Sequence, residues 1–355
     1  MIEKTEKERL LNEYLEMMDI RCCRFIAKEG YHFYDTTPIK KGDLDNRFSK
    51  SFNPSQTQVL RYLSYLSYAD KKMLDEAARI SAKNRELSYV VTAGHELRDM
   101  IEKLVFQGLV CKRQYVKDGQ TGGRSKVDQE FYFLTDRGIT LFKMRTESCE
   151  SIEKNLIERK EPKAVMQWLT AGNVLLKVKE MCQGREVQFA RKVKLPNPWG
   201  RHAIYGYVED ENMVVVFEPI LYKQVTGNPD KAAKRADFVK AFFKEFGNDR
   251  EKILVFVVQD RTDIDSIRSG YGDAISDNDR IFITHENLVY NNPGKDVGIA
   301  PFIRISKDSE EELEVANPPF VLRNEIYTGK PREKTHYENR KVDPIYDPES
   351  GEVII

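Results

Sequence analysis

The densest concentration of chemistry in this chain lies between Cys111 and Lys126, CKRQYVKDGQTGGRSK, where Lys112, Arg113, Lys117, Arg124 and Lys126 are set against a single acid, Asp118. Five cations and one anion leave a local net charge of +4, in a chain whose 57 Lys+Arg balance its 57 Asp+Glu. Such a cluster suits phosphate: each contact releases condensed counterions, so binding falls with salt at a slope of about −0.9 per contact. Overall neutrality excludes wholesale coating of a polyanion and makes any such site local. Just upstream, Thr92, His95, Arg98 and Lys103 offer polar groups with helical spacing, with Thr92 and Arg98 the candidates for base edges. Glu96, Asp99 and Glu102 share the outward positions; an acid there accepts from cytosine but repels phosphate.

A second set of residues could do a different chemistry. Asp210 and Glu218 could hold Mg²⁺ while Lys223 assists an attacking water, as a metal-dependent nuclease requires. The spacing resists it. A strand places residues i and i+2 on one face, so Glu218 and Lys223 point to opposite faces unless the strand bulges at Pro219, where it should continue. No catalytic residue, metal or cofactor is expected. The five cysteines (Cys22, Cys23, Cys111, Cys149, Cys182) show no C-x-x-C spacing and read as reduced thiols, and His95, His202, His285 and His336 are not at ligand spacing to one another. The phosphate-loop pattern G-x-x-x-x-G-K-[ST] is absent, and Gly270 and Gly272 do not directly follow a strand. The basic residues Arg191, Lys192, Lys194 and Arg201 beside Trp199, and the lysines of Lys231 to Lys240, read as solvated faces.

Four stretches must position these groups. Over residues 1–53, Leu10, Leu11, Tyr14, Leu15, Met18 and Cys22 give a helix with one apolar face, expected to pack on later parts of the chain, and Gly30 to Asn53 read as an irregular connection with room for a short hairpin. Over 54–150, Pro54 opens a helix through about Tyr68, and Met73 to Ile80 mark a second, with a loop from Ser81 to Arg85. Thr92 caps a third, whose buried stripe is Leu97, Met100, Ile101, Leu104 and Val105 and which Gly108 ends in a left-handed turn closed by Leu109. The period then changes to two. Val110 to Val116 and Val127 to Phe133 form a hairpin with a glycine-rich tip, and Thr135 caps a short helix carrying Ile139, Leu141 and Phe142.

From 164 to 305 a helix, several strands and then alternating helices and strands predict a mixed α/β sheet with its own core; ILVFVV, Ile253 to Val258, is a strand buried on both faces. From 306 to 355 the chain is acidic and proline-rich, which predicts an extended arm with little regular structure that lies on the body or reaches a protein partner. The apolar runs Met213 to Phe217 and Ile253 to Val258 are far short of the roughly 20 residues a bilayer crossing needs, and the charged start MIEKTEKERLL is no secretory signal. A cytoplasmic protein without membrane contact is expected.

The order helix, helix, helix, hairpin with a glycine-rich tip, then L-T-x-x-G resembles the winged helix-turn-helix family. The resemblance is carried by EKLVFQGLV (Glu102 to Val110), the strands and tip of Cys111 to Phe133, and LTDRG (Leu134 to Gly138). It implies that the third helix enters the major groove of double-stranded DNA while the hairpin tip touches phosphate or the minor groove. The stretch from 164 to 305 resembles a restriction-endonuclease-like core. Together, over about residues 54 to 290, the two are similar to the replication-relaxation proteins of bacterial plasmids and integrated conjugative elements. The family implies a DNA-binding role in replication, transfer or their transcriptional control, with a non-catalytic α/β domain. A homodimer is expected, joined by the first helix (Leu11, Leu15, Met18) or by the helix bearing Tyr62, Tyr65 and Tyr68. Two other readings stay open: a metal-dependent nuclease, and a protein-interaction scaffold without DNA affinity.

Overall fold

The computed structural model describes residues 4–36, 54–84, 94–119, 127–145, 162–181, 188–190, 206–209, 213–220, 239, 242–243, 251–271, 279–305 and 313–319. In them helices combine with two β-sheets, one of three strands and one of seven.

The smaller sheet grows from helices with clear apolar faces. Helix α1 (Lys4–Met17) comes first, then strand β1 (Tyr31–Asp35), α2 (Pro54–Leu66), α3 (Lys71–Asn84) and α4 (His95–Phe106). Strands β2 (Val110–Lys117) and β3 (Gln129–Leu134) form the hairpin, and α5 (Asp136–Arg145) comes next. Between α2 and α3 the left-handed Ser67 (φ 61°) turns the chain, and Ala69 exchanges both backbone hydrogen bonds with Tyr132 of β3 (3.0 and 2.8 Å). Asp70 then accepts from the Met73 N–H at 2.9 Å and caps α3. Helix α3 runs on through Asn84, so the loop expected from Ser81 begins later: Ser81 is buried and prolongs the packed face. The start of α4 also differs from expectation. Its capping position is Gly94 (φ 97°), whose N–H donates to Asp75 of α3, and Thr92 lies outside the described residues.

The end of α4 has the expected form. The Gly108 N–H donates to the Val105 carbonyl and the Leu109 N–H to the Leu104 carbonyl, with Leu104 and Leu109 both buried. LTDRG locks onto this turn. Thr135 donates its hydroxyl to the Gly108 carbonyl (2.7 Å) and accepts the Gly138 N–H (3.2 Å), capping α5. A Cβ at Gly138 would lie 2.1 Å from the Leu109 carbonyl oxygen, so only glycine fits.

The larger sheet has the order β10-β9-β8-β7-β6-β5-β4. Its strands are β4 (Gln188–Ala190), β5 (Gly206–Glu209), β6 (Met213–Ile220), β7 (Glu251–Val258), β8 (Ile281–His285), β9 (Ile303–Ile305) and β10 (Leu313–Val315). The central β6, β7 and β8 run parallel and the flanking pairs antiparallel. Helix α6 (Pro162–Met181) covers one face through Val174, Leu175 and Val178; α7 (Thr262–Tyr271) covers the other through Ile264 and Ile267, joined by Val239 and Phe242. The short α8 (Glu286–Asn291) leaves β8 directly. Strand β10, beyond residue 306, pairs with β9, so the expected irregular arm contributes an edge strand first. Residues 320–355 lie outside the described residues, and of the helix expected over 231–246 only 239 and 242–243 are described.

The first 53 residues divide between the two sheets. Leu10, Tyr14 and Met18 of the α1 stripe are buried in the core of the larger sheet, with Leu11 and Leu15 packed against it, and the Tyr14 hydroxyl donates to Asn292 and to the Ala300 carbonyl. The stretch taken for an irregular connection supplies β1, which pairs with β2. Of the residues expected at a contact between two copies, Met18 is buried within the chain and Leu11 and Leu15 are partly buried. Of the tyrosines on the other candidate contact helix, Tyr62 and Tyr68 are buried in the core of the smaller sheet and Tyr65 is partly buried against it. Nor do the two blocks keep separate helices, because Val165, Met166, Trp168 and Leu169 of α6 join the smaller sheet's core while its second half covers the larger sheet. No described helix is long and apolar enough to cross a membrane.

Gly138→Ala should cost about 3 kcal/mol, since the new methyl meets rigid backbone, and Thr135→Ala about 2 kcal/mol for a lost cap and a buried bond. Urea denaturation of both variants measures this, and wild-type stability in either would refute the role given to LTDRG.

Candidate nucleic-acid interface

Helix α4 turns Leu97, Ile101 and Leu104 inward, and Met100 and Val105 pack at the margin. The rest of the helix is an outward stripe at three- and four-residue spacing: His95, Arg98, Asp99, Glu102, Lys103 and Phe106, all exposed. Phe106 is 88% exposed, on a helix whose other apolar side chains are buried or marginal. Helical periodicity could have singled it out, because it stands seven residues after Asp99 and so on the same face.

The hairpin beside α4 holds its cations in different ways. Lys117 is exposed near the tip. Lys112 is bound: its ammonium lies 3.2 Å from Glu130 and 3.8 Å from Glu102, tying the hairpin to α4. Arg113 does not belong to a phosphate surface. Its side chain is wholly buried, its Nη2 donates to Asp35 at 3.0 Å, and its guanidinium lies 4.5 Å over the Phe133 ring and 5.4 Å over Phe33. Strand alternation turns it inward, and β1, whose pairing with β2 the sequence did not indicate, sets Asp35 directly opposite it. Arg124 and Lys126 lie outside the described residues.

The nuclease candidates are not brought together in the described residues. Glu218 is 2% exposed on β6, on the face that carries Val214 and Val216; Asp210 and Lys223 lie outside the described residues. β6 runs through Pro219 to Ile220, as the strand-like run from Met213 predicts. There Pro219 stands opposite Val257 of the parallel neighbour β7. The position two residues after Glu218 is Ile220, where metal-assisted cleavage would place a lysine. Among the described residues, no three His, Cys, Asp or Glu side chains converge to hold a metal ion.

At the carboxyl ends of β7 and β8 lies a pair the sequence did not announce, because its members are 262 residues apart. Cys23 Sγ sits 3.2 Å from His285 Nε2 and donates to the Gln259 carbonyl. This arrangement does not make a nucleophile. His285 Nδ1 accepts the Asn287 N–H at 3.0 Å, so Nε2 carries the ring proton and cannot take another from the thiol. Burial pushes the thiol pKa up, helped by the Glu286 charge, and brings His285 down to about 4, so both groups stay neutral. Asp263 accepts the Gln259 and Asp260 N–H groups, yet burial raises it to about 6.

The segment holding Cys23 is stitched to both blocks. The Arg24 N–H donates to Glu286 (3.0 Å), Gln129 donates to the Arg24 carbonyl and Gln259 to the Phe25 carbonyl (both 2.8 Å), and the Lys28 N–H donates to the Tyr115 hydroxyl. Glu286, 3% exposed, also accepts from the Asn173 amide of α6, whose oxygen accepts from Tyr290.

Compared with known proteins, the chain matches no family model, no curated protein and no solved structure.

Alkylation of the native protein should label the exposed Cys22 and spare the buried Cys23 and Cys111 until denaturant is added; mass spectrometry reads the order, and early labelling of Cys23 would restore it as a reactive thiol. The buried His285 and Asp263 act with opposite sign on acid stability. As pH falls from about 6.5 to 4 the unfolded chain protonates His285 and the folded one does not, so its contribution to stability is lost in that window. The folded state holds the Asp263 proton up to about pH 6, so Asp263 favours folding as pH falls from 6 towards 3.8. Asp263→Asn should therefore steepen the acid loss of stability between pH 6.5 and 4, measured by urea denaturation at several pH values.

Proposed function

We propose that the chain is a DNA-binding protein whose first block is a winged helix-turn-helix module and whose second is a non-catalytic, restriction-endonuclease-like α/β domain. The observation that carries this reading is the outward stripe of α4, with Arg98 and Lys103, standing beside a hairpin whose sequence is strongly basic. The element order supports it: α2, a strand remnant at Ala69 paired to β3, α3, α4 and then the β2–β3 wing. The second block supports its part with α6, the antiparallel β4–β5–β6 meander and β7 parallel to β6. Ile220 in place of a lysine and the burial of Glu218 favour a scaffold over a nuclease.

In this reading α4 lies in the major groove and the wing tip, with Lys117, Arg124 and Lys126, tracks the phosphates. The cellular role we assign is replication, transfer or their transcriptional control in a bacterial plasmid or integrated element, in the cytoplasm. Its support is the succession of a winged helix and an α/β core, the order of the replication-relaxation family.

Fluorescence anisotropy of a labelled duplex pool tests the reading. Arg124→Ala/Lys126→Ala should weaken binding by ~1 kcal/mol or more and flatten the log–log salt dependence by about 1.8, two phosphate contacts. Arg98→Ala should cost about 1–3 kcal/mol on a selected site and relax its sequence preference. No binding at low salt would overturn the proposal and turn the search to protein partners.

A further inference from the structure

Two acids on α3 or at its cap, Asp70 and Glu76, are each met by a cation from the seam between the blocks. The Arg24 guanidinium pairs with Asp70, the residue that caps α3. Lys177 of α6 reaches Glu76 at 3.5 Å, binds Glu180 at 2.7 Å and lies 5.1 Å over the Tyr290 ring of α8; Arg79 also pairs with Glu76. The side chains of Asp70 and Glu76 are only 17% and 8% exposed, so removing a partner leaves a charge poorly solvated. Both cations are rooted outside the helices they hold: Arg24 through its own N–H on Glu286, and Lys177 on the helix shared by both cores. The grip continues to α4, because the N–H of Gly94, its capping residue, donates to Asp75 in the middle of α3.

We propose that Arg24 and Lys177 are positioning residues for DNA recognition: they clamp α3, and with it α4, to the α/β block, so that DNA affinity depends on residues that never touch DNA. This rests on the DNA-binding reading and assigns the α/β block a part in it. A clamp of this kind works in both directions, since any binding free energy that shifts α3 is shared by whatever occupies either block.

The test uses the full chain and a labelled duplex pool of random sequence, titrated at several salt concentrations. Arg24→Met and Lys177→Met should each lower affinity about tenfold while leaving the log–log salt slope at the wild-type value, because no phosphate contact is lost. Lys177→Arg should restore most of the affinity. Hydrogen exchange should quicken across α3 and α4 in the Met variants. Ile253→Val, a mild core change in the larger sheet, serves as the control: it lowers stability without lowering affinity. Wild-type affinity in folded Lys177→Met would overturn the clamp, as would a flattened salt slope, which would put Lys177 on a phosphate. If the wild-type chain binds but the variants do not differ, only this inference falls. If the wild-type chain does not bind at all, the DNA-binding reading falls and takes the clamp with it.

Discussion

A carboxylate buried as deeply as Glu286 has to be met by donors, and here they come from two different parts of the chain. One is the Arg24 N–H, on the strap that leaves the 3-10 turn Ile20–Cys22 after α1; the other is the Asn173 amide, midway along α6. Burial raises the acid's pKa, and the Arg24 N–H and the Asn173 amide act against that rise. Much else hangs on this point. With its backbone held there, Arg24 reaches Asp70 and the start of α3, while Asn173 receives Tyr290 and Lys177 lies over the same ring. The relative placement of the two sheets thus rests on a polar seam threaded by one short segment, with α6 as its rigid backing.

Arg113 shows the same physics inside the smaller sheet. A guanidinium with no solvent exposure persists because Asp35 and two aromatic faces surround it. The β2–β3 hairpin is therefore anchored on one edge by β1. A hairpin held in this way needs less ordering by any contact made on it than a free one.

The chemistry at the carboxyl ends of the parallel strands is equally instructive. That is where open α/β sheets commonly bind ligands, yet here the strap carrying Cys23 and Phe25 occupies the place, and the thiol and imidazole found there are kept neutral. A site that could have been a nucleophilic pair serves as a joint between blocks.

The sequence by itself determined local features. Helical stripes placed α2 and the inward face of α4, the glycine after that stripe marked its turn, and LTDRG marked a cap, because periodicity and capping involve residues within a few positions of one another. The buried run of β7 was legible for the same reason: burial on both faces leaves no polar position. Tertiary structure decided the rest. Only the pairing of β1 with β2, across 78 residues, turned Arg113 from a surface cation into a buried one. Only the packing of α1 on the larger sheet decided where Leu10, Tyr14 and Met18 are buried. The joining of Cys23 to His285 and of Arg24 to Asp70 and Glu286 had no signal in spacing, because hydrogen bonds and ion pairs depend on distance in space, and distance along the chain does not encode it.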